Sequence, residues 1–297
     1  MEKQKLDFLT AKARKLRDDA IEIIGHFGVG HIGGTMSVMD ALTVIYYDKA
    51  NVDPKNPKKQ DRDRVIMSKG HAGPAMYAVL GDLGFYPHEW ESTLNRNGTN
   101  LPSHCDMNKT PGIDFTAGSL GQGLSAAVGM ALTAKMDDNP ATIYCFIGDG
   151  ESQEGQIWEA SMFAGNHGLD NLIVFLDNNK MQLDGPTDTI NSLAPAADKW
   201  KAFNFFTQEI NGHDLVAISD AIDAAKAQKG KPSMIILDTI KGFGASFTEG
   251  VANCHSMSIP EELWRKETGG RRRRRAWRRA RRCCRAWQSH HRERGCR

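Results

Sequence analysis

At 297 residues, 40% of them hydrophobic, the chain can bury one large α/β core or two small ones. The formal net charge of +2 conceals a split: thirteen Arg and one Glu follow Gly270, so the residues before them carry about −10. Three Cys lie in that basic tail and the others (Cys105, Cys145, Cys254) lack ligand spacing, which argues against structural zinc and for a reducing compartment; with no apolar stretch of bilayer length and an N-terminus too charged for a signal peptide, the expected location is the cytoplasm, with no membrane partner.

Leu6, Leu9, Ala13, Leu16, Ala20, Ile23 and Ile24 fall at helical spacing and predict a helix over 6–27. A glycine-rich loop, Gly28-Val29-Gly30-His31-Ile32-Gly33-Gly34, follows, then a helix over 37–48 and a polar connection over 51–64. Val65-Ile66-Met67 reads as a short strand ending at Ser68-Lys69-Gly70-His71, with a helix over 72–83. His31, His71 and the later His104 all sit in glycine-rich or turn contexts. Histidine is the side chain best suited to moving protons near neutral pH, so the three form a candidate site. A second glycine loop, Thr116 to Gly123, opens a helix over 124–135 in which Ala126, Ala127, Gly129, Ala131 and Ala134 allow close packing against another element.

The stretch Thr142 to Asp184 carries the chemistry. An apolar run over 143–147 breaks at Gly148-Asp149-Gly150, an amphipathic segment covers 152–167, and a second apolar run over 172–176 ends at Asp177-Asn178-Asn179. That is a βαβ unit. Both polar clusters then fall at the carboxyl ends of parallel strands, the edge where open α/β sheets bind ligands. Asp149 offers a carboxylate and Asn179 an amide oxygen, a set suited to magnesium shared with a phosphate. Gly148 and Gly150 let backbone approach that phosphate, and the start of the next helix faces it with its positive end. Beyond lie a loop over 186–198, a short helix over 200–205, a strand over 207–210, a helix over 214–229 and a strand over 233–238. The last strand leads into Thr239-Ile240-Lys241-Gly242-Phe243-Gly244 and on to His255.

GDG with NN on the next strand is similar to the thiamin diphosphate motif, and GDGESQEG with LDNNK resembles the transketolase family in particular. Gly30-His31-Ile32-Gly33 is similar to that family's GHPG loop, with Ile for Pro, and Val29 stands where the family usually has Ser. Ser68-Lys69-Gly70-His71 is similar to SxGH, and Gly118-Ser119-Leu120-Gly121-Gln122-Gly123 to GPLGQG with Ser119 for Pro. The resemblance covers about residues 5–267 and implies a domain over 1–268. It implies an α/β fold, a parallel sheet with helices on both faces, of the kind that binds the diphosphate of thiamin diphosphate. Asp149, Asn179 and the main-chain oxygen of Met181 would hold Mg²⁺ or Ca²⁺. Gly150, Glu151, His71 and Lys241 would lie by the diphosphate, and Gly118, Ser119 and Leu120 by the cofactor rings. His31, His104 and His255 would meet substrate hydroxyls and assist proton transfer, His255 lying by the cofactor as well. Glu154 would join a catalytic carboxylate network at a dimer interface.

The reaction so implied is transfer of a two-carbon ketol unit from a ketose to an aldose, both as small sugar phosphates. Full-length transketolases are about twice this size, so the resemblance implies the N-terminal subunit of a split enzyme. Its partner would be a C-terminal transketolase subunit, the pyrimidine-binding half, in an α2β2 self-associating complex. A deoxyxylulose-phosphate synthase, a 2-oxo acid dehydrogenase subunit and a non-catalytic cofactor-binding module are the alternatives. The Arg- and Trp-rich segment over 269–297 has no counterpart in the family and is read as an unstructured, out-of-frame end, not as a nucleic-acid-binding arm.

Overall fold

The computed structural model describes residues 1–269; the basic tail, on which the out-of-frame reading falls, lies outside them. In chain order come α1 (Lys3–Phe27), β1 (Val29–Gly30), α2 (Ile32–Ser37), α3 (Met39–Val44), a π turn (Ile45–Lys49), β2 (Arg64–Met67), α4 (Gly73–Leu83), α5 (Gln122–Met136), β3 (Ile143–Gly148), α6 (Gly155–Asn166), β4 (Leu172–Asn178), α7 (Thr187–Ile190), α8 (Ala196–Ala202), β5 (Phe206–Asn211), α9 (Leu215–Ala227), β6 (Ser233–Asp238), β7 (Met257–Ser258) and α10 (Glu261–Glu267).

Five strands make one sheet in the order β2-β3-β4-β6-β5, with every pairing parallel. Both faces are covered, as a parallel sheet requires. Tyr144, Phe146, Ile173, Phe175, Ile235 and Leu237 join α1, α3, α4 and α9 in one core. Their neighbours along the strands, Ile143, Cys145, Ile147, Leu172, Val174, Leu176, Met234 and Ile236, join α5, α6 and α8 in the other. This alternation of two apolar sets explains why the central strands read as unbroken apolar runs. The helix ends follow local chemistry. Gly28 closes α1 at φ +90°, and its N–H donates to Ile24 O at 3.0 Å. Asp214 caps α9, accepting from Val216 N at 2.8 Å and Ala217 N at 3.1 Å.

Several expectations are corrected. The helix expected over 37–48 begins at Ile32 and is broken at Val38 into α2, α3 and the π turn. Gly33, inside α2, packs on the Cys254 carbonyl, where a Cβ would come within 2.6 Å. The helix expected over 152–167 starts at Gly155, after a 3₁₀ turn (Glu151–Gln153), because Glu154 is extended at ψ 132°. The helix expected over 200–205 runs instead from Ala196 to Ala202, since Asn204 turns the chain at φ +66°. The expected loop over 186–198 therefore holds α7 and the start of α8. On α5, Ala127, Ala131 and Ala134 are buried as expected, but Ala126 is half-buried and Gly129 is exposed. Among the described residues no helix is long and apolar enough to cross a membrane.

Candidate active site

The carboxyl ends of β3 and β4 lie side by side, Gly148 in register with Asp177. Over this edge opens a cavity of about 180 Å³, lined among others by Asp149, Gly150, Asn179, Met181, Lys241 and His255. Asp149 is 2% exposed. Its Oδ1 accepts from Gly150 N at 2.7 Å and its Oδ2 from Lys180 N at 2.5 Å. Burial, and then the charge of Asp177, push its carboxyl up to about 7. Asn179 donates through Nδ2 to Asp177 Oδ2 at 2.8 Å, and its Oδ1 accepts from Met181 N at 3.2 Å. Asp177 thus fixes which end of the amide carries the donor.

One carboxylate, one amide oxygen and one main-chain carbonyl therefore line a single cavity. They are oxygen donors only, and few, which fits a hard cation that completes its shell with phosphate and water. Among the described residues no group of three or more His, Cys, Asp or Glu could hold a metal without such help. A buried carboxylate whose charge is disfavoured is also a group that a cation would stabilise.

Of the two glycines expected to open the backbone here, Gly150 has an ordinary right-handed conformation, φ −63°. It is glycine because a Cβ there would come within 2.8 Å of Gln182 Cβ; at Gly148 the nearest atom would be 3.7 Å away. Nor does a helix begin directly at Gly148-Asp149-Gly150, since the 3₁₀ turn intervenes. Glu151 is 2% exposed and spends both oxygens on the scaffold. Its Oε1 accepts from Ser68 Oγ and from Gly121 N at 2.8 Å, and its Oε2 from Gly148 N at 3.0 Å. It ties three loops together at the edge of the cavity.

Two groups beneath the site carry no local signal of their role. Asp177 is fully buried and accepts from Ser37 Oγ at 2.7 Å, Thr239 Oγ1 at 2.6 Å, Asn179 Nδ2 and Lys69 Nζ. Lys69, 2% exposed, also donates to Gly34 O at 3.0 Å. Burial alone would raise the Asp177 carboxyl; the Lys69 charge and these hydrogen bonds outweigh it and hold it below its ordinary value. Above them Lys241 Nζ reaches Gln182 O at 3.3 Å, Met181 O at 3.4 Å and His255 Nδ1 at 3.5 Å. These are long contacts, and they leave its charge facing the cavity.

The four histidines converge although the junction of β1 and α2, the 3₁₀ turn at Gly70–Ala72 and two loops supply them. The His31 ring centroid lies 5.4 Å from His71, 5.5 Å from His104 and 5.4 Å from His255, and His71 lies 4.9 Å from His255. Burial is the first cause lowering each of their pKa values. Lys69 and the other imidazoles push His71 far down, and Lys241 helps bring His255 to about 4. All four are therefore neutral at pH 7, and each ring can accept one proton or hydrogen bond while donating another. The remaining candidates are less central. Leu120 lines the cavity, whereas Gly118 and Ser119 are exposed outside its lining. Glu154 is exposed ahead of α6, makes no capping bond and does not join the histidines.

The model of the transketolase thiamine diphosphate-binding domain matches residues 9–278. A 6-deoxy-6-sulfo-D-fructose transketolase subunit of Clostridium sp. (strain MSTE9) is 55% identical over 89% of this chain and 96% of that subunit. One of the apulose-4-phosphate transketolase subunits, from Phocaeicola vulgatus, is 39% identical over 84% of this chain and 89% of that one. Among solved structures, the transketolase of Campylobacter jejuni superposes with a TM-score of 0.83 at 32% identity, covering 91% of this chain but 43% of that one. The Leishmania mexicana transketolase gives 0.82 at 31%, covering 88% and 41%. The chain thus spans about two fifths of these solved transketolases and nearly all of the two transketolase subunits.

Proposed function

The chain belongs to the transketolase family, as its thiamine diphosphate-binding N-terminal part, and from that premise we propose that it is one half of a split transketolase. It works with a second chain that carries the pyrimidine-binding half, two copies of each. The observation that carries this reading is the division of one site into two ends. Oxygen donors and the Lys241 ammonium stand at one end, His31 and His104 at the other, and His71 and His255 join the two by lining the cavity while packing on His31.

Asp149, Asn179 and the Met181 carbonyl would hold Mg²⁺ or Ca²⁺, and through it a diphosphate that Lys241, His71 and the Gly150 backbone also meet. When bound, thiamin diphosphate supplies the electron sink for breaking the C2–C3 bond of a ketose. His31, His104 and His255 orient the sugar hydroxyls. A neutral His31 or His255 takes the proton from the hydroxyl beside the breaking bond. Glu154, on the outer surface, suits a carboxylate network completed by a second copy of the chain. Leu120 presents an apolar contact to the cofactor rings, with Gly118 and Ser119 beside it. Glu151 serves this end indirectly, by holding the Gly148 turn.

The 55% identity to the sulfofructose transketolase chain makes a 6-deoxy-6-sulfo ketose the leading donor, ahead of a 4-phosphorylated branched ketose. The test reconstitutes the chain with its partner, Mg²⁺ and thiamin diphosphate, and offers 6-deoxy-6-sulfo-D-fructose, apulose 4-phosphate, xylulose 5-phosphate and pyruvate with an aldose acceptor. Ketol transfer from the sulfo-sugar is expected. Turnover of pyruvate in place of ketoses, or cofactor binding without any turnover, would overturn the proposal.

A further inference from the structure

A second buried polar cluster lies one turn away from the site, where β5 and β6 end beside each other. Asn211 is in register with Asp238, and Gly212 N donates to Asp238 O at 2.9 Å. A Cβ on Gly212 would clash with the Thr239 methyl, so the two outgoing loops touch. His213 leaves β5 at this point, its side chain 9% exposed. Its ring stacks on Phe243, with centroids 3.6 Å apart and planes 17° from parallel. The Ile240 amide donates to His213 Nε2 at 2.9 Å, and His213 Nδ1 lies 2.9 Å from Asp40 Oδ2.

The proton inventory follows from these contacts. A backbone N–H can only donate, so Nε2 is bare and the ring proton sits on Nδ1, pointed at the Asp40 carboxylate. Asp40 is held in turn by both terminal nitrogens of Arg17, and Arg17 Nε donates to Phe243 O at 3.1 Å. The chain Arg17–Asp40–His213 thus reaches the loop 240–243 at two points, Ile240 N and Phe243 O, on either side of Lys241. The front of the same loop is tied to the first turn of α2, beside His31, Gly242 N donating to Gly33 O at 3.0 Å.

We propose that Asp40 and His213 are positioning residues that set the Lys241 loop against the diphosphate end of the site. Asp40 fixes the His213 tautomer, His213 holds the Ile240 amide and the Phe243 ring, and Lys241 between them is left to face the cavity. This use of the lock rests on the proposed cofactor role of Lys241; the lock itself does not.

The test uses the full chain with two substitutions. His213→Phe keeps a flat ring on Phe243 and removes both nitrogen functions, whereas His213→Gln restores an acceptor for the Ile240 amide. Amide hydrogen exchange should rise roughly tenfold across 239–244 in His213→Phe, as for loss of one hydrogen bond holding a loop, with β3 and β4 unchanged. His213→Gln should recover most of the protection. With the partner and Mg²⁺ present, His213→Phe should raise the thiamin diphosphate half-saturation roughly tenfold and change kcat at saturation far less. Unchanged exchange in the loop, an equal rise throughout the sheet, no recovery in His213→Gln, or a changed loop with unchanged cofactor saturation would each overturn the inference. Failure of the native chain to bind thiamin diphosphate would instead sink the functional reading, and the exchange data would still decide whether the lock exists.

Discussion

The sharpest test of the architecture is the ion pair beneath the site. Asp177→Asn removes the charge that offsets Lys69 while keeping the shape of the side chain. Lys69 is 2% exposed and Asp177 0%, so the pair is almost wholly desolvated. Breaking a buried pair by removing one partner costs about 3–5 kcal/mol. Asp177 also accepts from Ser37, Thr239 and Asn179, and an amide can accept on one atom only, which places the loss toward the upper end. At about 2–4 °C per kcal/mol for a domain of this size, Tm should fall by on the order of 10 °C. Lys69→Met should cost about as much, because it strands the carboxylate. The double variant removes both charges, so it should lose less than the sum of the singles by at least about 2 kcal/mol. Chemical denaturation of the full chain without ligand measures all four species. A loss under about 1 kcal/mol for Asp177→Asn, or single effects that simply add, would refute the account of Asp177 as the hub of the site.

Three further outcomes are expected. Asp149→Asn should cost about 1 kcal/mol or less without metal, since it removes a charge that burial already disfavours. The same variant should lose at least roughly tenfold in Mg²⁺-dependent stabilisation by thiamin diphosphate, read as the Tm difference with and without the pair. Gly150→Ala should destabilise by about 1–3 kcal/mol through its clash with Gln182, whereas Gly148→Ala should stay within about 1 kcal/mol; paired melts distinguish them. For His255 the folded pKa is near 4 and the ordinary value 6.5. The unfolded chain therefore binds the extra proton first as pH falls, and the His255 contribution is lost between pH 6.5 and 4. Unfolding free energies of His255→Gln and the native chain, compared across that window, should show the native chain losing stability relative to the variant as pH falls; a constant difference would refute the assignment.

The sheet was legible because β3, β4 and β6 are buried on both faces and so appear as apolar runs that stop at Gly148, Asp177 and Asp238. The convergence of His31, His71, His104 and His255 was legible only through resemblance, since their separation along the chain says nothing of ring distances near 5.4 Å. Lys69 stood in a segment read for its histidine, and Asp177 in a polar cluster read for its asparagines. No single-residue signal marks a lysine that will be buried, because only the distant carboxylate makes that possible. α10 did carry a signal: Pro260 precedes Glu261 and Glu262, and Arg265 and Lys266 fall in the last turn, the charge order of a capped helix.

Asp149 and Asp177 stand on neighbouring strands, and their environments drive them apart. Asp177 has a buried ammonium and three neutral donors around it, so its charge is permanent and already neutralised. Asp149 has only two backbone amides at its oxygens, Asp177 adds repulsion and Lys69 counters it only weakly, so its charge is the one left with an incomplete offset. Lys241 does not complete that offset, because its Nζ contacts two carbonyls and an imidazole rather than the carboxylate. A cation arriving between Asp149, Asn179 and the Met181 carbonyl would supply it and would meet Lys241 at the same carbonyl. Two positive charges would then flank one cavity, an arrangement that becomes favourable when a doubly charged anion such as a diphosphate lies between them. The protein therefore has reason to bind metal and diphosphate together more tightly than either alone. Titration of Mg²⁺ with and without thiamin diphosphate, in the presence of the partner, should show that coupling as a lower Mg²⁺ midpoint when the cofactor is present.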